Sequence, residues 1–345
     1  MQASAIIVIG NHFASAAVCD FPNRPASVTT SCLEILGRSV LELTVERLRH
    51  AGIQAISVIA EESSAPLLRD RDLEIVTAGR TVDRWPRAGH KLKAYAAQGI
   101  EEVLLMELGA YAECDFREVL QSHCSARKSL TQLQDSRQPL DFWIVNAAAI
   151  RTLPGDCPLP FGPDSGLGPS APCLVKGYVN RLANAADLRR LVVGAFLGRC
   201  AIRPRGREVR PGVWIDDGAR RHRTARLVAP AYLGRDARMG RSAVVARFSN
   251  VERNCHVGEG TVVDSASVLS HTTLGRGLDV SQAVVHGNEF VDLGRNLAIK
   301  IDDPNLIRDT APRPRRLSRR QREQVGALDG RNQPFELEGS LQGEV

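Results

Sequence analysis

The sequence predicts an α/β domain built on a parallel sheet, followed by a parallel coil of short strands and then a basic tail. Three observations carry this. Residues 5 to about 200 alternate β-rich runs with helical stretches, residues from about 201 recur in hexads, and the chain past residue 302 is rich in arginine and poor in large apolar side chains. The expected boundaries are 1–200, 201–302 and 303–345.

In the first segment Ala5 to Ile9 reads as a buried strand, cut by Gly10-Asn11-His12. No Lys or Arg precedes Arg24 and the apolar run is short of the ~7 to 15 residues of a secretory leader, so a strand is the better reading. Val40, Leu41, Leu43, Thr44, Val45 and Leu48 lie at helical spacing, and Gly52 stops that helix. Ala55 to Ala60 is the next strand, and Ser63-Ser64-Ala65-Pro66 is a helix-start signal. Glu102 to Leu108 reads as a strand, Phe116 to His123 as a helix, and Phe142 to Val145 as a strand leading into Asn146. Six of the eighteen prolines fall between Pro154 and Pro172, which marks a long loop. A helix from Ala185 to Leu197 closes the segment. Strand–helix–strand succession implies a parallel sheet.

In the second segment an aliphatic residue recurs at every sixth position: Leu227, Leu233, Met239, Val245, Val251, Val257, Val263 and Leu269. A small residue follows each by four, from Ala231 and Ala237 to Ser267 and Thr273. One hexad makes one short strand and one turn, so three hexads make a coil whose aliphatic column fills a triangular prism. Ile215 with Ala219 and Val209 with Val213 keep the phase upstream, while Arg221 breaks it. The phase fails from Gly275 and returns at Leu293, Leu297 and Ile299, which suggests an irregular coil between them. The segment resembles the hexapeptide-repeat left-handed parallel β-helix.

Composition excludes several classes. With 345 residues, 43% hydrophobic and 24% charged, the chain has a globular profile, and no apolar run approaches the ~18 to 20 residues of a membrane span. The eight cysteines are scattered without a C-x-x-C pair, as expected of small core residues or free thiols in a reducing cytoplasm. The net charge of +6 concentrates locally in a tail with Arg308, Arg313, Arg315, Arg316, Arg319, Arg320 and Arg322, expected to be solvated and disordered. No aromatic residue interleaves those arginines, so nucleic-acid binding is not expected.

Four stretches of the first segment resemble, in order, the sugar-phosphate nucleotidyltransferases (NDP-sugar pyrophosphorylases), many of which carry a C-terminal β-helix. They are Leu33 to Glu42 with Ala51-Gly52-Ile53, Leu104 to Gly109 with Asp115-Phe116, Val145 to Ala148, and Gly177 to Asn184 with Asp187-Leu188. The resemblance implies a Rossmann-like domain in which a sugar 1-phosphate attacks a nucleoside triphosphate. That chemistry calls for a glycine-rich phosphate loop, basic side chains and Mg²⁺ on carboxylates. Here the loop reads Gly10-Asn11-His12-Phe13-Ala14-Ser15, Thr30 stands at the family's lysine, and Ala110 and Arg181 stand at its two metal-binding aspartates. Asp115, Glu113 and Asp187 are the carboxylates near those positions in sequence.

The expectation is therefore a nucleotidyltransferase-like scaffold that has lost its chemistry, with no catalytic or metal-binding residue and no cofactor. Mg²⁺ enters only if the protein is instead an active nucleotidyltransferase with divergent residues. Gly10, Asn11, His12, Gly109, Asn146 and Gly177 are the expected sugar or nucleotide pocket. The expected partners are a sugar nucleotide or a catalytic relative, with homo- or hetero-oligomers formed through the β-helix. A hexapeptide-repeat acyltransferase is the alternative of a different class, with His286 as its general base and His256 and His271 as outward surface residues.

Overall fold

The computed structural model describes residues 2–9, 30–61, 73–79, 83–136, 138–151 and 171–311. Residues 2–311 lie within one compact unit; the remaining C-terminal residues, 312–345, lie outside the described residues. Gly10, Asn11, His12 and the helix-start signal at Ser63 fall outside them too.

One seven-stranded sheet organises the first segment, in the spatial order Ala171–Leu174, Leu130–Gln134, Pro139–Asn146, Glu102–Glu107, Ala3–Val8, Ala55–Glu61 and Glu74–Ala78. Its central strands are apolar runs because both faces are covered. Ile6 and Val8 point into one core with Ala88, Leu92 and Tyr95 of helix α2 (Arg84–Ala97). Ala5 and Ile7 point into the other, with α1 (Val40–His50) and α5 (Ala185–Phe196). Ser39 and Glu42 form a reciprocal capping box that starts α1, satisfying two N–H groups that a helix end would leave bare. Helix α3 spans Phe116–Ser125 and the short α4 spans Ala147–Arg151.

The sheet is not wholly parallel. Pro139–Asn146 runs antiparallel to both Glu102–Glu107 and Leu130–Gln134. Only four residues separate Gln134 from its register partner Pro139, too few for a crossover, so the chain can only turn back as a hairpin.

From residue 213 the chain winds through three stacked sheets, visiting each once per coil. Strand pairs are 18 residues apart in the early coils, as in Val213↔Ala231 and Arg226↔Val244. From Val251 on the spacing is 17, as in Val251↔Val268, Val257↔Leu274 and Val263↔Val280. The hexad reading therefore holds through Val263 and then slips by one. Val268, not Leu269, enters the interior, and Leu269 turns out to pack in the core of the α/β body. The small column shifts likewise to Ala266 and Thr272, both fully buried.

The ends of the coil also depart from expectation. Val209 is exposed on Arg207–Arg210, which pairs antiparallel with Val213–Ile215. Leu297 and Ile299 are exposed on an antiparallel meander formed by Ala283–His286, Glu289–Asp292 and Leu297–Lys300. The hexad phase there is coincidental, because a chain that doubles back no longer repeats once per coil. Ile307–Asp309, expected in the tail, is a strand antiparallel to Thr272–Leu274, with Ile307 in the coil's core.

Coil and α/β body meet at a hairpin, Glu34–Ile35 with Arg38–Ser39, whose turn residues Leu36 (φ 54°) and Gly37 (φ 88°) are both left-handed. Their N–H groups donate to the two carboxylate oxygens of Glu252 at 2.8 and 2.9 Å. A Cβ on Gly37 would stand 2.2 Å from the Tyr232 hydroxyl, so only glycine lets the turn seat. Arg253 pairs with Glu34 at 2.7 Å, and Arg189 of α5 donates to Phe248 O and Ser267 Oγ at 3.0 Å.

Candidate functional site at the carboxyl edge of the sheet

Parallel strands present ligand-binding loops at their C-terminal ends, so the edge after Val8, Glu61, Ala78 and Glu107 is where a site is expected. The central strand ends at Glu107. Leu108 N donates to Val8 O at 3.0 Å and Ser31 Oγ donates to Leu108 O at 2.9 Å, which fixes the exit of the strand at Gly109. The chain then forms a two-stranded ribbon, Tyr111–Ala112 antiparallel to Val179–Asn180. Ala110 precedes Tyr111 and Arg181 follows Asn180, so both positions adjoin the same end of the ribbon. The two positions that the resemblance assigns to metal-binding aspartates are thus brought together by the fold.

Neither residue can hold a cation. Ala110 offers a methyl group and is 8% exposed. Arg181 is itself a cation, with Nε on Asp135 Oδ2 at 3.0 Å and Nη2 on Gln138 O and Pro139 O at 2.7 and 3.1 Å. Mg²⁺ takes oxygen ligands, so the pair does not fit it. Among the described residues no group of three or more His, Cys, Asp or Glu could hold a metal ion.

Two further carboxylates, one of them beside Arg181, gather at this edge. Glu107 and Asp141 lie just past the Met106↔Phe142 pair of two antiparallel neighbour strands, close enough to interact electrostatically. Burial, then Asp141, raises the Glu107 pKa against the pull of Arg84, and burial raises that of Asp141 against Arg181. Neither makes a hydrogen bond among the described residues, although neighbouring like charges cost stability in a sheet. A pair that shares a proton can both donate to and accept from a sugar or ribose hydroxyl. Buried Arg84, at the start of α2, holds the edge together by donating to Ile9 O at 2.5 Å.

The carboxylates near the expected metal positions in sequence are otherwise engaged. Asp115 caps α3 through Arg117 N and Glu118 N, Asp187 accepts from Ala183 N and Arg190, and Glu113 accepts from the Tyr111 hydroxyl.

The pocket expected from sequence does not assemble as one. Asn146 lies at the opposite end of the central strand, paired with Glu102, because its strand runs antiparallel. There its amide donates to Glu102 Oε1 at 2.9 Å and its oxygen accepts from Ala148 N, starting α4. Buried His123 completes that cluster, with Nε2 3.1 Å from Glu102 and Nδ1 2.7 Å from Thr131 Oγ1. Gly177 lies at the far end of the ribbon from Gly109, and a Cβ there would stand 1.8 Å from Glu113 O. It permits close backbone packing against Glu113. Gly109 alone, among the described pocket residues, remains at the edge.

His286 ends Ala283–His286, opposite Glu289 in the meander. Burial holds its imidazole below the usual range, against the influence of Glu289 and Asp309. A separate open groove of about 870 Å³ runs along α1, lined by Arg38, Glu42, Glu46, Arg49, Arg203 and Arg205. None of the sheet-edge residues lines it.

No protein-family model matches the chain, and no curated protein matches it. Among solved structures it is similar to the crystal structure of HddC from Yersinia pseudotuberculosis complexed with GMP-PN. The TM-score is 0.41 and the identity 13%, over 55% of this chain and 97% of that one. No described helix is long and apolar enough to cross a membrane.

Proposed function

We propose that the chain is a nucleotidyltransferase-like protein that binds a sugar nucleotide without catalysing nucleotidyl transfer, and that it regulates or scaffolds nucleotide-sugar supply for polysaccharide synthesis in the cytoplasm. The observation behind this is the juxtaposition of Ala110 and Arg181. Positions that in an active relative would share a divalent cation adjoin one end of the same ribbon and carry a methyl group and a guanidinium bound to Asp135. Arg181 supplies a fixed positive charge in place of a metal, which suits phosphate binding but cannot exchange ligands as a reacting metal does. A left-handed winding of the coil and association through it belong to the same reading.

The purified protein is expected to release no pyrophosphate from nucleoside triphosphates and sugar 1-phosphates with Mg²⁺, yet to melt higher with one nucleotide sugar. A binder at 100 times its dissociation constant adds ~2.7 kcal/mol. Metal-dependent turnover that persists through purification would overturn the inactive reading. It would favour the active alternative, for which the Glu107–Asp141 pair supplies acids the sequence reading did not count. Glu107→Gln and Asp141→Asn would then each abolish turnover.

A further inference from the structure

The three faces of the coil are used differently. On the first, Tyr232, Asn250, Ser267 and Val284 are outward in register and all buried, with Tyr232 and Val284 in the core of the α/β body. On the second, the outward row is Arg226, Val244, Val262 and Asp279, which is mixed. On the third it is Arg220, Arg238, His256, Thr273 and Arg308. Stacked strands lie about 4.8 Å apart, so this row makes a straight ladder about 19 Å long.

The ladder is widened by the next corner, where Arg223, Arg241 and Arg276 are exposed. These arginines and the three in the ladder form no salt bridge or side-chain hydrogen bond among the described residues, whereas Arg181, Arg247 and Arg253 elsewhere are paired. Glu259 borders one edge, Asp217 and Asp236 the other, and Asp309 the last rung. The face therefore keeps a net positive field. His256 registers it, since Arg238 and Arg308 add to burial in holding its imidazole below the usual range. The outward row of this face carries three arginines, against Arg226 alone in the row of the second.

We propose that this face is a docking surface for an anionic phospholipid bilayer. A flat row of guanidinium groups without walls meets a flat array of phosphates at every rung at once, and guanidinium binds phosphate through two parallel hydrogen bonds. A nucleic-acid duplex is a cylinder and would meet a flat face along one line. A single strand asks for a succession of aromatic platforms, and the ladder offers one imidazole, His256, and no Phe, Tyr or Trp. Six further arginines, Arg313, Arg315, Arg316, Arg319, Arg320 and Arg322, follow Arg308 in sequence, and surface adsorption gains with each added cation.

The test is co-sedimentation of the full chain with phosphatidylcholine vesicles containing about 30% phosphatidylglycerol, at low and high salt. Each arginine at such a surface contributes about fivefold, so Arg220→Gln/Arg238→Gln/Arg308→Gln is expected to bind about a hundredfold more weakly. Arg207→Gln/Arg210→Gln/Arg226→Gln removes equal charge from elsewhere on the coil and is expected to lose far less. All these side chains are exposed, so melting temperatures should match and exclude misfolding. Equal loss in the two triple variants would overturn the proposal. So would absence of wild-type binding, complete loss on neutralising Arg313, Arg315 and Arg316 alone, or tighter binding to a duplex DNA fragment than to the vesicles.

Discussion

Glu252 couples the coil to the α/β body through one fully buried carboxylate. Burial and the neighbouring Glu34 push its pKa up to about 8, against the donors Asn250, Leu36 N and Gly37 N. A folded-state pKa above the unfolded value of about 4.5 means that its contribution to stability is fully present below pH 4.5 and is lost as pH rises toward 8. Glu34, raised by burial, acts in the same direction. Each pH unit in that window is expected to cost about 1.4 kcal/mol at Glu252. Glu252→Gln should flatten this slope, because it keeps one acceptor oxygen and loses the charge. Urea midpoints at pH 5.5, 7 and 8.5 check it: equal slopes in variant and wild type would assign the titration elsewhere. Gly37→Ala strikes the same clasp sterically, through the Tyr232 hydroxyl and a positive φ, and is expected to cost about 2 kcal/mol or more in thermal unfolding.

At the scale of elements the coil depends on its interior column. Val257 is fully buried in it, while Glu259, two residues on, is exposed at the corner. Val257→Asp places an unpaired charge in the prism and should cost ~3 to 5 kcal/mol. Glu259→Ala should cost under ~0.5 kcal/mol. Denaturant titration of the two variants separates them, and similar midpoints would mean that the column is assigned wrongly. The shift from 18 to 17 residues per coil was hidden because each of the neighbouring pairs Ala266-Ser267, Val268-Leu269 and Thr272-Thr273 offers an equivalent residue in either phase. Helix α2 was also missed, since its buried stripe of Ala88, Leu92, Tyr95 and Ala96 is thin in aliphatics and interrupted by Pro86 and Gly89.

For the whole molecule, coil and α/β body share one compact unit, and one face of the coil is buried by the body. An oligomer made through the coil must therefore use its free surface, where Leu297 and Ile299 of the terminal meander are more than two-fifths exposed. Light scattering is expected to give more than one copy for the full chain and equally for a chain ending at Ala311. A monomer in both would remove self-association, and a monomer only after truncation would move the contact to the arginine-rich segment.

The sequence by itself determined the central strands, α1, α3 and α5, and the coil through Val263. Each is written in a local period or run. Tertiary structure decided what depends on register between distant segments. It reversed Pro139–Asn146, which carried Asn146 away from Gly109 and brought Asp141 close to Glu107. It set the Leu36–Gly37 turn on Glu252, 215 and more residues away, and aligned Arg220, Arg238 and Arg308 in one row on a face of the coil. Residue spacing states which side of its own strand a side chain takes, but its neighbours across a sheet follow from where the chain turns, and a one-residue change there reassigns them all.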